Sequence, residues 1–433
     1  MIVVDSVRCS YCAGCVSVCP VQALYLAETQ LVVDPSCIDC GDCVKACPVG
    51  ALQPQFSDAP SLKSIQRRYD VVVVGAGPGG SIAARTAAKA GLSVLLIEKR
   101  QEIGSPVRCA EGVGHDQLVA FIEPDLRWIS AEINQLELTT RDDGATKTWH
   151  AAGGRGYILE RRVFDRVLGE QAAQAGAEVR VKTSATGLVI EDGCVRGIKI
   201  KRGDFFANAD QVAVEARVVI GADGVESQVG RWAGLDVQLP MNDAMICAQY
   251  LLAGIDIDPT CTSYTISYTA VPGGYAWIFP KGNGKANVGL GVQADLWSSE
   301  NALGLLNRFV VSNPRLAKGS PVSFIVGNAP VALSPSRIVR DGVMLIGDAA
   351  RQVDPLTGGG IINAMKAGEM AAQVAAEAIA KNDTSANFLS RYEERWNASV
   401  GRRLQRNYRL RDKFPPTRRT DERFVHAFML AAK

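Results

Sequence analysis

The chain has 433 residues, with 47 Lys and Arg against 45 Asp and Glu and a net formal charge of +2. At roughly 100–200 residues per domain this length calls for two to four domains, and the balanced charge argues against a nucleic-acid partner. No apolar run reaches the roughly 18–20 residues that span a bilayer, and the first residues lack the basic-then-apolar pattern of a signal peptide, so a cytoplasmic location is expected.

Two cysteine blocks come first, CSYCAGCVSVCP at residues 9–20 and CIDCGDCVKACP at residues 37–48, each reading C-x2-C-x2-C-x3-C-P. They take eight of the twelve cysteines and leave Cys109, Cys194, Cys247 and Cys261. In a cytosolic protein this spacing points to metal rather than to disulfides. Three cysteines at i, i+3 and i+6 wrap one cuboidal iron–sulfur cluster, while the fourth, followed by Pro, reaches the other. Cys9, Cys12, Cys15 and Cys47 would hold one 4Fe–4S cluster, and Cys37, Cys40, Cys43 and Cys19 the second. A pair of zinc sites fits poorly, because zinc ribbons use two separated C-x2-C knuckles. Residues 1–56 resemble the bacterial-type two-4Fe–4S ferredoxins, including their internal repeat. Such a module implies that the body of the chain uses low-potential single electrons.

Residues 53–68, QPQFSDAPSLKSIQRR, have the composition of a connector, and 57–68 is read as the linker proper. YDVVVVGAGPGGSIAARTAAKAGLSVLLIEKR then reads as strand, glycine turn, helix, strand. The Val run at 71–74 is a buried parallel strand, Gly75-x-Gly77-x-x-Gly80 the turn, and 81–90 an Ala-rich helix closed by Gly91. Gly75 permits the turn, Gly77 lets a pyrophosphate approach the backbone at the helix N-terminus, and Gly80 lets helix and strand pack closely. Glu98 ends the second strand, where its carboxylate can accept from the adenosine ribose hydroxyls. This set establishes dinucleotide binding without separating FAD from NAD.

Two later segments make that choice. ARVVIGADGVESQVGR at 216–231 and GVMLIGDAARQVDPLTGGGIINAMKAGEMAA at 342–372 resemble the second and third FAD motifs of the para-hydroxybenzoate-hydroxylase-like flavoproteins. The resemblance implies that Asp348 holds the ribityl chain and that Pro355 with the following glycines lies under the isoalloxazine. Gly358, Gly359 and Gly360 leave backbone N–H groups bare before a helix, whose N-terminus stabilises negative charge on a reduced ring. ERRVFDRVL matches the Arg-x-x-x-Asp helix of the same family, placing Arg161 near the cofactor with Asp165 as its structural partner. No second dinucleotide fingerprint follows. GNGKANVGLG at 282–291 reads as a hairpin, so the expected electron donor is the cluster module rather than NAD(P)H.

YAWIFPKGNGKANVGLG at 275–291 and VRCAEGV at 107–113 are similar to signatures of the geranylgeranyl reductases, and the resemblance runs from residue 69 to about 380. It implies FAD-dependent saturation of isoprenoid double bonds, as in archaeal lipids or prenylated pigments and quinones, with electrons from the chain's own clusters. Alternation puts Tyr275, Trp277 and Phe279 on one strand face, where they could line an apolar slot or simply fill a sheet core. An unpolarised alkene needs hydride and proton positioned together in a dry pocket. Cys109 is the position the resemblance places near the ring, and His115 and Tyr275 are the other candidate donors. A packing thiol and an ordinary turn histidine are the plain alternatives.

Residues 391–419 carry ten Lys and Arg against three acids, interleaved with Tyr392, Trp396, Tyr408 and Phe414. Such a basic helix could hold lipid phosphates or touch an anionic membrane surface, or be a solvated helix packed by its aromatics. The fold expected is an α/β composite. A ferredoxin-like dicluster module at 1–56 precedes a Rossmann-type FAD domain at 69–235 and 336–380. An antiparallel substrate sheet at 236–335 interrupts that domain, part of 110–155 contributes to the substrate side, and a helical basic tail spans 381–433. The partners expected are a prenylated lipid or other isoprenoid and an external low-potential electron donor. The same cofactors would serve an electron-transfer flavoprotein that passes electrons to a quinone, although those proteins carry their cluster domain after the FAD region.

Overall fold

The computed structural model describes residues 2–28, 30–52, 66–142, 145–202, 212–296 and 300–432. The linker expected at 57–68 therefore lies outside the described residues up to position 65.

The first module contains α1 (Gly14–Ser17), β1 (Leu24–Ala27), β2 (Gln30–Val33) and α2 (Asp42–Lys45). Each short helix begins after a left-handed residue, Ala13 at φ 61° and Gly41 at φ 81°, which swings the chain around its cysteines. β1 and β2 pair antiparallel, and the module's ends are closed by a bridge between Val4 and Leu52 and by Asp5 N–H donating to the Ala51 carbonyl at 2.8 Å. Leu24, Leu31, Val44 and Leu52 form its core together with Cys9, Cys15 and Cys43.

The body then runs β3 (Arg68–Val74), α3 (Pro78–Lys89), β4 (Val94–Ile97), β5 (Gly112–Gly114), α4 (His115–Leu118), β6 (Ile129–Asp142), β7 (Ala145–Leu159) and α5 (Arg161–Gln174). It continues through β8 (Glu178–Arg180), β9 (Thr183–Glu191), β10 (Cys194–Arg202), β11 (Val212–Gly221), α6 (Gln228–Trp232), β12 (Ala244–Ala253) and β13 (Cys261–Ile266). β14 (Tyr275–Gly282), β15 (Lys285–Gln293), α7 (Ala302–Ser312), β16 (Ser320–Pro330), β17 (Val339–Arg340), β18 (Val343–Leu345) and α8 (Ile361–Ala380) follow. α9 (Ala386–Trp396), α10 (Arg402–Lys413) and α11 (Glu422–Ala432) complete it.

These strands sort into two sheets. One has the order β17-β18-β11-β3-β4-β8, with β10 paired to β11 and β9 to β10, and it is parallel from β18 to β8. Its central strands are Val, Leu and Ile runs because both faces are covered. The other has the order β16-β12-β15-β14-β13-β6-β7-β5, antiparallel except where β13 lies parallel to β6. The segment 282–291 contains the turn of the β14–β15 hairpin. α3 and α8 pack so tightly that a Cβ on Gly368 would stand 2.2 Å from the Gly79 carbonyl oxygen. A Cβ on Gly79 would likewise meet the Ala364 carbonyl oxygen at 2.9 Å, so the N-terminal turn of α3 lies against the first two turns of α8.

In the tail, Tyr392 and Trp396 are fully buried against the parallel sheet. Part of its positive charge is also turned inward. The buried Arg411 guanidinium donates to Asp243 and to the Val331 carbonyl, and the buried Arg419 donates to the Phe414 and Gly273 carbonyls. Among the described residues no helix is long and apolar enough to cross a membrane.

Candidate active site

One cavity of about 1040 Å³ runs between the two sheets, from the glycine turn after β3 to the aromatic face of β14. Its volume slightly exceeds the roughly 300–1,000 Å³ of ordinary small-molecule sites, which leaves room for a large cofactor beside a substrate. At one end, Gly75 takes φ +102°, and a Cβ there would meet the Ala222 carbonyl oxygen at 2.4 Å. A Cβ on Gly80 would fall 1.9 Å from the Gly75 carbonyl oxygen, so close packing of turn and helix needs that glycine. Gly77 differs: its Cβ would meet nothing within 4 Å, and the residue lines the cavity. The bare N-terminus of α3 therefore opens onto space, as a phosphate cradle requires. Glu98 lines the same end and accepts from the Ala76 and Arg100 amides at 3.1 and 3.0 Å.

At the α8 end, Asp348, Gly358, Gly359 and Gly360 line the cavity, with Gly358 at φ +69°. Burial pushes the Asp348 carboxyl above its usual range. Among the described residues that carboxyl makes no hydrogen bond or ion pair, so it is free to accept from a polyol. Asp354 organises the loop by accepting from the Leu356 and Thr357 amides at 3.0 and 3.3 Å and from Asn407 Nδ2 at 2.8 Å. Pro355, within this loop, is buried and does not itself line the cavity. Arg161 does line it, held by a bidentate pair with Asp165 at 2.7 Å for both bonds. Glycine space, an unpaired carboxyl and a fixed guanidinium together fit a bound FAD.

Between these ends lies the turn 107–113. Cys109 lines the cavity, and its Sγ accepts from the Glu111 amide at 3.2 Å. Burial pushes this thiol above its usual range, an effect partly offset by the nearby Arg161 charge. Neighbouring Cys247 is likewise pushed up, to about 12, chiefly by burial. Trp277 Nε1 donates to Gln249 Oε1 at 2.8 Å, and Gln249 Nε2 donates to the Cys109 carbonyl at 3.2 Å, so the aromatic strand props the cysteine turn. Beneath it, Lys281 Nζ donates to Glu111 Oε2 at 2.6 Å and to the Leu159 carbonyl at 2.5 Å. Asn287 Nδ2 donates to the same Glu111 oxygen at 2.7 Å, and the Arg161 amide donates to Glu111 Oε1 at 2.8 Å. Glu111 sits at φ 76° within this net.

Tyr275 and Tyr264 stack edge to face with centroids 5.7 Å apart, and Phe428 of α11 packs on both. The Tyr275 hydroxyl donates to the Thr357 carbonyl, which commits its proton to the backbone and ties the aromatic strand to the glycine loop. His115 stands away from the cavity lining: its Nδ1 lies 2.8 Å from Asp116 Oδ1 and its ring faces Tyr157.

In the first module, Cys9, Cys12, Cys15 and Cys47 line one small cavity with Tyr11, Leu26 and Leu31. The internal repeat shows in equivalent bonds, Ala23 N–H to Cys19 Sγ at 3.2 Å and Ala51 N–H to Cys47 Sγ at 3.1 Å. Among the described residues no group of three His, Cys, Asp or Glu side chains is placed to hold a single metal ion. Lys182, between β8 and β9, reaches across to this module. Its Nζ donates to the Cys9 and Val7 carbonyls at 2.6 and 3.0 Å, and Lys201 pairs with Asp5 at 3.6 Å.

Residues 243–329 match the geranylgeranyl reductase catalytic domain, residues 70–272 an FAD dependent oxidoreductase domain, and residues 1–48 a 4Fe-4S dicluster domain. Digeranylgeranylglycerophospholipid reductase 2 of Methanococcoides burtonii is 48% identical over 348 residues, covering 80% of this chain and 84% of that protein. The chain belongs to the digeranylgeranylglycerophospholipid reductase family. The family's reductase of Methanosarcina acetivorans is 50% identical over 340 residues, 77% of this chain and 81% of its own. Among solved structures, a geranylgeranyl bacteriochlorophyll reductase-like protein of Thermoplasma acidophilum superposes with a TM-score of 0.75 at 42% identity, covering 80% of this chain and 87% of that one. A flavin-dependent brominase with a TM-score of 0.67 at 21% identity, covering 84% of this chain and 94% of its own, shows the fold alone.

Sequence reasoning did not single out Glu111, Lys281, Asn287, Gln249, Tyr264, Asp354 or Lys182. In this family member Glu111 lies two residues after Cys109, and Lys281 and Asn287 lie inside the aromatic signature. Charged residues inside two largely small or apolar motifs, Glu111 in VRCAEGV and Lys281 in YAWIFPKGNGKANVGLG, were the available signal.

Proposed function

We propose that this chain saturates the C=C bonds of geranylgeranyl groups on a glycerophospholipid, using FAD and two 4Fe–4S clusters. One observation carries the reading: a single cavity joins the phosphate cradle at Gly77, the Asp348 and Gly358–Gly360 end, and an apolar slot of Tyr264, Trp277, Phe279 and Leu410. FAD bound there supplies hydride, and the clusters supply its electrons one at a time. Gly75, Gly77, Gly80 and Glu98 would take the adenosine diphosphate half, and Asp348, Arg161 and the glycine loop the flavin half. The eight cysteines of the first module would hold the clusters as the spacing divides them.

The chain's own contribution is shape, dryness and a proton. The aromatic slot offers contact area without polar handles, which suits an isoprenoid and excludes water from the reacting bond. Cys109 Sγ keeps its proton at neutral pH because burial disfavours the thiolate, and Gln249 and the Glu111 net fix the turn that carries it. Tyr275, whose hydroxyl is spent on Thr357, serves as a wall and a tie. An external low-potential donor would feed the clusters, and exposed Arg402, Arg409 and Lys413 would bring the tail to a lipid surface. Anaerobic addition of digeranylgeranyl phospholipid to the holoprotein with its flavin already reduced is expected to reoxidise that flavin in step with alkene loss. A flavin that stays reduced would refute the reading.

A further inference from the structure

Several cations of the tail are spent on internal partners, but two that line the cavity are paired with no acid among the described residues. Arg403 and Arg406 on α10 line the cavity, and among the described residues neither makes an ion pair. Arg403 is half-buried: its Nη2 donates to Asn363 Oδ1 at 3.0 Å, while its Nε is buried without any partner. Arg406 is exposed and makes no hydrogen bond among the described residues. Lys366 on α8 donates to Gln117 Oε1 at 3.3 Å, and Gln117 also lines the cavity. Burial and the Arg403 charge both push the Lys366 ammonium below its usual range. Among the described residues none of these three cations is ion-paired, so gathering them at the rim raises the energy of the empty site, and an anion relieves it.

The same helix face says what the anion is attached to. Arg403, Arg406, Asn407 and Leu410 all line the cavity, and their i, i+3, i+4, i+7 spacing makes one stripe of α10. The stripe passes from cationic to apolar over about 10 Å of helix rise, and Leu410 packs on the cluster that contains Tyr264, Trp277 and Phe279. A π-helical turn at Asn397–Gly401 precedes α10 and sets the phase of this stripe, since one inserted residue rotates everything after it by about 100°. Asn407 is the only polar group between the two ends of the stripe, and its amide is already used by Asp354.

We propose that Arg403 and Arg406, with Lys366 beside them, form a phosphate-headgroup subsite at the cavity rim. It takes the glycerophosphate of a two-chain isoprenoid lipid while one chain passes Leu410 toward Tyr264, Trp277 and Phe279. Guanidinium groups suit this task because they stay charged and bind phosphate oxygens in a bidentate manner. The subsite rests on the isoprenoid-lipid reading and deepens it, turning a chain-length site into one that selects a phospholipid over an uncharged prenyl glycerol.

The test compares digeranylgeranylglyceryl phosphate with digeranylgeranylglycerol, both in neutral detergent, on holoprotein. Dissociation constants come from tryptophan fluorescence and kcat/KM from anaerobic turnover. Wild type is expected to prefer the phosphate lipid in both measurements, and the Arg403→Ala/Arg406→Ala double variant to lose at least about tenfold of that preference. Arg406→Ala alone, at an exposed position that does not threaten folding, is expected to lose part of it. Intact preference in the double variant, or an equal loss for both lipids, would overturn the subsite. So would intact preference with a shifted flavin reduction potential, which would assign Arg403 to the flavin. Because binding is read separately, a protein that binds the phosphate lipid selectively yet reduces neither lipid would sink the reductase reading and leave the subsite standing.

Discussion

At Cys109 burial outweighs the Arg161 charge, and the thiol's pKa rises above its usual value. A raised thiol pKa keeps the proton in place through neutral and mildly alkaline pH, and the group stops donating only above that pKa. Anaerobic pH–rate profiles are therefore expected to be flat through the ordinary thiol range near pH 8.5 and to fall beyond it. Cys109→Ala is expected to keep FAD and lower turnover by about 10²-fold, a usual contribution for one positioned acid. Wild-type turnover in that variant, or a decline already complete by pH 8.5, would remove the thiol from the proton path. Below it, Lys281 and Glu111 are both almost fully buried, with 6% and 5% of their side chains exposed. Lys281→Met leaves a buried carboxylate without its charge partner, so a loss of about 3–5 kcal/mol is expected in denaturant unfolding, with partial recovery in Lys281→Met/Glu111→Gln. No loss would mean that Asn287 and the Arg161 amide satisfy Glu111 unaided. Both residues lie in motifs visible in the sequence, but their contact spans 170 positions and depends on how β14 and β15 meet the turn before β5. Local spacing shows the motifs and not the pairing.

The glycine turn separates two kinds of constraint within one element. Gly80→Ala drives a methyl into the Gly75 carbonyl, so the folded apoprotein is expected to lose stability in a thermal melt. Gly77→Ala meets nothing in the protein and is expected to leave that melt unchanged while weakening FAD at least about tenfold in a binding titration. The reverse pattern would exclude this turn as the phosphate cradle. The turn was legible because glycine, strand and helix follow one another directly along the chain. The helix begins at Pro78 rather than at the expected position 81, for the physical reason that proline suits the first helical position, whose N–H has no partner. Lys182 was illegible, since nothing local marks a lysine between two strands as a tie to another module. Its ammonium on the Cys9 carbonyl would stabilise extra electron density at an adjacent cluster. Lys182→Met is expected to lower the potential of that cluster in a redox titration followed by paramagnetic resonance. An unchanged potential would reduce Lys182 to a docking contact.

At the scale of the molecule, the order of motifs along the chain carried the fold class, and the parallel sheet follows from Val, Leu and Ile runs alternating with helices. The second sheet was legible as strands but not in its order. β13 joins β6 in parallel through pairs such as Cys261 with Gln135, and that partnership has no local signal. The basic tail misleads for a related reason. A count of charges cannot show that Arg411 finds Asp243, or Arg419 the Gly273 carbonyl, each more than a hundred residues away in the chain. The assembly that results places one cavity between two sheets and a cysteine module against the edge of the first. The measurement that tests this arrangement most directly is anaerobic turnover of reconstituted holoprotein with dithionite and a digeranylgeranyl phospholipid, the product weighed by mass spectrometry. A gain of two hydrogens for each double bond removed is expected, lost when Cys43→Ala disables a cluster. Reduced flavin with lipid mass unchanged, reoxidised instead by a quinone, would contradict it.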